Sequence, residues 1–212
     1  MHRTKAIISQ NITAWPELGI NYWGINKNAT STMTMHFATL CGDIIPTDED
    51  IRLGQLAKSK IKHRYITQQQ AHQNGLQNFA VCRHPLQRFY SVYKHLKHPT
   101  SVLQQRTRGK ARFDTTWNEE QFLAHIRHTF DAGKKINKHW QKQVSYVPEP
   151  ERMHHVVKLE RLVEDWPFEF EAPSIQSNTT SGVDVHIDEQ LVHDVYHEDY
   201  LYFGYILRKD FT

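Results

Sequence analysis

Short apolar runs alternate with helix-spaced apolar patterns along this chain, and that alternation restricts the fold more than any other feature. Strand candidates fall at residues 22–26, 61–66, 78–82 and 155–159. From near Ser31, Met33, Phe37, Leu40 and Cys41 recur at helical spacing. Leu86, Phe89, Tyr90, Tyr93 and Leu96 line one face of a second helix, opened by Pro85, whose missing N–H is not needed in a first turn. The patterns at 119–130 and 188–197 predict two more helices. Parallel strands need a crossover between them, so this alternation predicts an α/β fold with a parallel sheet flanked by helices. At 212 residues the chain suits a single domain spanning 1–212.

Composition narrows the class. Hydrophobic residues make up 39% and aromatic residues 11%, enough to build a core and too many for a disordered chain. No run approaches the roughly 18 apolar residues of a membrane span, and the first residues lack a signal peptide's apolar centre, so a soluble cytoplasmic protein is expected. Cys41 and Cys82 sit inside apolar segments and are expected to be buried thiols without a disulfide. Residues 149–199 hold 13 acids against 3 bases, which leaves the rest of the chain with 13 excess positive charges. Such a surface attracts a polyanion: nucleic acid, a phosphorylated cofactor or an acidic glycan.

The stretch GINKNATSTMTMHF, residues 24–37, follows a strand candidate with a lysine, small residues and a helix. A strand running through a tight loop into a helix gathers backbone N–H groups and the positive end of the helix dipole at one point, which makes an anion site. Lys27 adds a full charge, and Thr30, Ser31 and Thr32 add hydroxyl donors, although hydroxyl residues at a helix start also serve as plain N-caps. In nucleotide hydrolases the lysine ends a glycine-rich loop and a Ser/Thr after it holds magnesium. Here the lysine comes first, and no such motif occurs in the chain.

A second motif lies downstream in FAVCRHPLQRFYSVYKH. Arg83 ends a strand candidate, Pro85 opens a helix, and Ser91 follows Arg83 by 8 residues, on the side of Arg88. The pair of motifs resembles the sulfotransferases that use 3′-phosphoadenosine 5′-phosphosulfate (PAPS). HWQKQ at 139–143, VVKLERLVEDW at 156–166 and DYLYFGY at 199–205 are similar to further blocks of the carbohydrate branch of that family. The family's usual proline before the lysine is Asn26 here, and its usual loop glycine is Ala29.

The resemblance implies the sulfotransferase fold, a P-loop-NTPase-like parallel sheet flanked by helices. It also implies transfer of a sulfuryl group from PAPS to a hydroxyl of a carbohydrate or other small alcohol, releasing PAP. Lys27, Asn28, Ala29, Thr30, Ser31 and Thr32 would hold the phosphosulfate, and Arg83 and Ser91 the 3′-phosphate. Lys27 would neutralise charge on the leaving oxygen. Histidine titrates near neutrality and suits the base that takes the acceptor's proton. His63, 20 residues before Arg83, is the preferred candidate and His139 the next. Glu160 either orients Lys158 or an acceptor hydroxyl, or caps a helix.

No metal is expected. His193 and His197 are spaced for zinc on one helical face, but no third ligand is identifiable. The non-enzymatic alternative is a basic nucleic-acid-binding module, whose aromatics would have to leave the buried stripe of a helix. With the enzyme reading no nucleic acid is expected. The partner is a glycan or small-molecule acceptor, acidic if Arg106 to Arg112, Lys134, Lys135, Lys138 and Lys142 meet it.

Overall fold

The computed structural model describes residues 11–44, 61–98, 114–134, 136–174 and 186–207. Most of two expected connections, 98–117 and 172–182, lies outside them, as do Arg106, Arg108, Lys110, Arg112 and Lys135. The described residues among Ile8–Arg83 and Ser145–Gln176 form one compact unit, and those among His84–Val144 and Ser177–Thr212 form another. Each has its own apolar core.

The first unit is built on a five-stranded sheet. Its strands are β1 (Asn11–Trp15), β2 (Ile20–Gly24), β3 (Tyr65–Ile66), β4 (Gln77–Cys82) and β5 (His155–Lys158), in the order β3-β1-β2-β4-β5. The expected parallel arrangement holds for β2, β4 and β5. Two antiparallel strands, β1 and β3, extend one edge, so the sheet is mixed. A tight turn causes this. Pro16–Leu18 forms a single 3₁₀ turn, and Gly19 at φ 70° donates to Pro16 O, reversing the chain so that β2 folds back on β1.

Alternation along the strands decides what covers each face. Ile20 and Tyr22 of β2, Phe79 and Val81 of β4, and Val157 of β5 pack with Met33, Phe37 and Ala38 of α1 (Thr30–Leu40). Trp23 and Ala80 point the other way, into a cluster with Ile12, Ile25, Tyr146, Val147 and Ala71 of α2 (Gln68–Gln73). Polar side chains buried with this second face satisfy one another. Asn21 Nδ2 donates to Ala71 O at 3.0 Å and to Asn78 Oδ1 at 3.1 Å, and Trp23 Nε1 donates to the same Asn78 oxygen at 3.1 Å. Cys82 is buried, Cys41 half-buried, and neither forms a disulfide.

Only Tyr65–Ile66 of the expected strand at 61–66 is extended, because Lys62–Arg64 forms a 3₁₀ turn. Arg64 anchors that turn, donating to both oxygens of Asp43 at 2.9 and 3.0 Å and to Glu17 Oε2 at 2.6 Å, with its guanidinium 4.9 Å above the Trp15 ring. The Arg64 hydrogen bond holds the Glu17 carboxyl down at about 2 from an ordinary 4.5. A lowered carboxylate pKa gives stability that is complete above the ordinary value and lost as pH falls through the lowered one. Acid unfolding between about pH 4.5 and about 2 should therefore show a loss of stability that Glu17→Gln flattens, measured by denaturant titration across that range.

The second unit packs α3 (Pro85–Lys97), α4 (Glu119–Asp131) and α5 (Glu189–Tyr202) around Phe89, Val92, Tyr93, Phe122, Ile126 and Val192. These helices match the expected patterns, and α4 begins with a reciprocal cap between Asn118 and Gln121. Among the described residues no helix is long and apolar enough to cross a membrane.

Candidate active site

The carboxyl ends of the three parallel strands lie side by side, and in open α/β sheets this is where ligands bind. β2 runs into the loop 25–29, β4 ends at Cys82 just before Arg83, and β5 ends at Lys158, which pairs with Cys82.

The loop after β2 is set by side chains pointing inward. Asn28, fully buried, donates from Nδ2 to Val81 O of β4 at 2.9 Å, and its backbone N–H closes a turn on Ile25 O. Asn26 donates from Nδ2 to Tyr146 Oη at 3.1 Å. The Thr30 hydroxyl donates to Ile25 O. Lys27, between the two asparagines, is half-buried.

Lys27 (φ 72°) and Ala29 (φ 56°) are the two non-glycine residues with positive φ among those described. Left-handed backbone is uncommon for residues with a Cβ and concentrates where the surroundings enforce it, often at functional sites. Ala29 therefore takes the glycine-like conformation without being glycine. It is also the residue that caps α1, with no side-chain hydrogen bond to an amide. The hydroxyl residues are thus not N-caps. Thr30, Ser31 and Thr32 occupy the first turn, and the ladder begins only with Met33 N–H on Ala29 O at 2.9 Å, so the amides before it precede the helical hydrogen bonds. That is the geometry of an anion cradle.

Gly24 lets the strand meet this turn. A Cβ placed there would sit 2.8 Å from Thr30 Cγ2 and 3.1 Å from Asn11 O. Gly24→Ala is expected to lower stability by about 1–3 kcal/mol, the usual cost of overpacking, read from chemical denaturation. An unchanged midpoint would show that Thr30 can move aside.

Arg83 comes to the same loop from 56 residues away, its Nη1 donating to Lys27 O at 3.4 Å. The Arg83 guanidinium thereby reaches the backbone of the loop that carries Lys27 and leads into the first turn of α1. Lys158 and Glu160 follow from the end of β5.

His63 is elsewhere. Tyr65 pairs with Thr13 and Thr13 with Tyr22, while Ile66 pairs with Ile12 and Ile12 with Trp23, so β3 runs in the direction of β2. His63 precedes β3 and lies level with the amino end of β2, whereas Lys27 lies past its carboxyl end. The length of β2 alone separates them, roughly 13 Å at about 3.3 Å per residue. His63 is exposed and its Nε2 lies 3.8 Å from Asp43 Oδ2, beside the Arg64 anchor. The structure does not bring it to the loop.

Ser91 and His139 belong to the second unit. Ser91, half-buried, lies in the second turn of α3. Arg88 is buried and donates from Nη2 to His139 O at 3.3 Å, and His139 N–H donates to Asn137 Oδ1 at 3.0 Å. Lys142 is ion-paired with Glu198 at 2.7 Å. A residue that sequence reasoning passed over stands behind this segment. Asp199 of α5, fully buried, accepts from Gln143 N at 2.9 Å and Val144 N at 3.0 Å. Burial pushes its carboxyl up, against the opposing pull of Arg88 and the two amides. Its signal was present in the sequence, as an acid on the apolar stripe Val192, Val195, Tyr196, Asp199, Tyr200.

The sequence matches the model of the sulfotransferase family over residues 10–184. No curated protein and no solved structure matches it. The match lends no support to a nucleic-acid-binding module. It spans the strand, loop and helix that carry Lys27, the strand that ends just before Arg83, and all five strands of the sheet. This chain belongs to the sulfotransferase family and is a PAPS-dependent sulfotransferase.

Proposed function

We propose that the chain transfers the sulfuryl group of PAPS to a hydroxyl of a carbohydrate or related small alcohol, with the 5′ end of the nucleotide at the loop 27–32 and its 3′-phosphate at Arg83 and Ser91. The observation that carries this reading is the meeting of Lys27 and Arg83 at one loop on the carboxyl edge of the parallel strands. PAPS supplies an activated sulfuryl group. The amides of Thr30, Ser31 and Thr32 and the hydroxyls of Ser31 and Thr32 bind and orient the anionic end. Lys27 places a positive charge where negative charge grows on the leaving oxygen, which is stabilisation needed only as the bond breaks.

The carbohydrate acceptor is supported by the similarity of HWQKQ, VVKLERLVEDW and DYLYFGY to the carbohydrate branch. His139, in the first of these blocks, is the candidate for the base that takes the acceptor proton, since its backbone is fixed on both sides by Arg88 and Asn137. His63, at the other end of the sheet, takes no part in this reading. His139→Ala should lower turnover by about 10²-fold or more with PAP binding preserved, and His63→Ala should leave turnover near wild type. The reverse pattern would return the role to His63.

The test of the whole reading has two arms. Micromolar PAP should raise the thermal midpoint, and labelled PAPS should transfer its sulfuryl group to one or more members of a panel of glycans and simple alcohols. Absence of both effects would overturn it.

A further inference from the structure

We propose that Asn26 and Tyr146 form a positioning pair that aims Lys27, an inference that rests on the nucleotide reading of the loop given above. Lys27 is flanked by two asparagines whose side chains turn inward, one 5% and the other 0% exposed. Each acts as a peg. Asn28 is pegged to a backbone carbonyl of the sheet, Val81 O, which cannot move without disturbing β4. Asn26 is pegged to a side chain, the phenol of Tyr146, 120 residues further along.

Tyr146 is a fit anchor. It is 2% exposed and packs in one cluster with Ile12, Trp23, Ile25, Ala71 and Ala80, so its ring is held by both the sheet and α2. The hydrogen bond it accepts is 3.1 Å long with both partners buried, where water does not compete for the donor. Lys27 itself sits at φ 72°, a backbone conformation that a residue with a Cβ keeps only when its surroundings enforce it. Arg83 donates to its carbonyl from one side, and the two pegs fix the peptides before and after it. Of these restraints, the Asn26–Tyr146 bond alone joins two side chains, so a single-atom deletion can remove it without altering any backbone group.

The prediction separates aim from folding. Tyr146→Phe deletes the hydroxyl and keeps the ring, while Asn26→Ala deletes the other partner. Both variants, and the double variant, are compared with wild type in three measurements: hydrogen–deuterium exchange of the peptide covering residues 24–33, affinity for PAP by calorimetry, and kcat and KM with labelled PAPS. Desulfated heparin serves as acceptor, and release of inorganic sulfate from PAPS as the readout where heparin is not taken. Expected are faster exchange confined to that peptide, kcat lower by about 10- to 100-fold, and PAP affinity within about twofold of wild type, because misplacing a reacting group by an ångström costs rate more than binding. The double variant should be no slower than the slower single variant, since both remove one interaction.

Unchanged loop exchange and kcat in Tyr146→Phe would overturn the proposal. So would equal losses of PAP affinity and kcat accompanied by a lower thermal midpoint, the mark of a purely structural contact. If Asn26→Ala does not fold, Tyr146→Phe decides alone. A wild-type protein that neither binds PAP nor consumes PAPS overturns the nucleotide reading, and loop exchange in Tyr146→Phe still reports whether the pair holds Lys27.

Discussion

Lys27→Ala is expected to reduce kcat by about 10³-fold while PAP still binds within about tenfold of the wild-type affinity. The size of the effect follows from where the charge stands. A cation placed at a leaving oxygen interacts most strongly when that oxygen is most negative, so its removal falls mainly on the transition state. On the proposed reading, PAP keeps the loop amides and Arg83 as partners for its phosphates without Lys27. Lys27→Arg tests geometry as well as charge, because a planar guanidinium on a different stem cannot reproduce a point charge at this loop position, and it should recover only a small part of the rate. A steady-state assay with saturating PAPS, with PAP affinity measured separately, checks both. An alanine variant within tenfold of the wild-type kcat would remove Lys27 from the chemistry.

Asp199→Ala is expected to destabilise the helical unit by about 3–5 kcal/mol and to lower its thermal midpoint by roughly 10 °C. The carboxylate accepts two backbone amides, buried Gln143 N and half-buried Val144 N, and its charge opposes that of buried Arg88. Alanine leaves both amides without that acceptor and Arg88 without the nearby opposite charge, and each unmet buried donor costs about 1–3 kcal/mol. Asp199→Asn keeps the shape but has one acceptor oxygen for two amides, so it should recover part of the loss. The pH response has a definite sign. Burial raises the pKa of this carboxyl, so the stability it contributes is greatest when it is protonated and declines as pH rises through the raised value. Wild type should lose stability over that rise relative to Asp199→Asn, followed by denaturant titration at several pH values. A loss below about 1 kcal/mol in Asp199→Ala would show that water or a neighbour replaces the carboxylate.

Much of this architecture was readable in the residues, and the parts that were not share a cause. The helices with wide apolar stripes, at Leu86 to Leu96 and around Phe122 and Ile126, and the strand β4, buried from Asn78 to Cys82, follow directly from period. β1 did not, because NITAW buries three of five positions and ends at a proline, so its alternation is too short to stand out. α2 offers one apolar residue, Ala71, and no stripe. Its legible mark was instead the Thr67–Gln70 capping box, with Thr67 Oγ1 accepting from Gln70 N and Gln70 Oε1 accepting from Thr67 N. Lys27 and Arg83 were found by spacing and stand together in the fold. His63 was placed by the same kind of counting, and the antiparallel pairing of β1 with β2 and of β3 with β1 sets it level with the amino end of β2, away from the loop. Distance along the sequence does not say which end of a strand a residue occupies. The anchoring of Asn26 to a tyrosine 120 residues away has no local signature at all.

The chain leaves the first unit after Arg83 and returns to it at Ser145, so β4 and β5 are neighbours in space but not in sequence. Asn78 N donating to His154 Nδ1 ties residues 76 apart, whereas β1 and β2 close across a single short turn. Closing a long loop costs only about 0.6 kcal/mol more for each doubling of its length, so the interruption costs little final stability. It costs folding speed, because long-range pairings are found late in the search. The β1–β2 hairpin closes locally, whereas Lys158 comes with a strand that pairs only after the chain returns. The lysine loop shares that delay, since Asn26 gains its Tyr146 partner only when the segment from Ser145 returns.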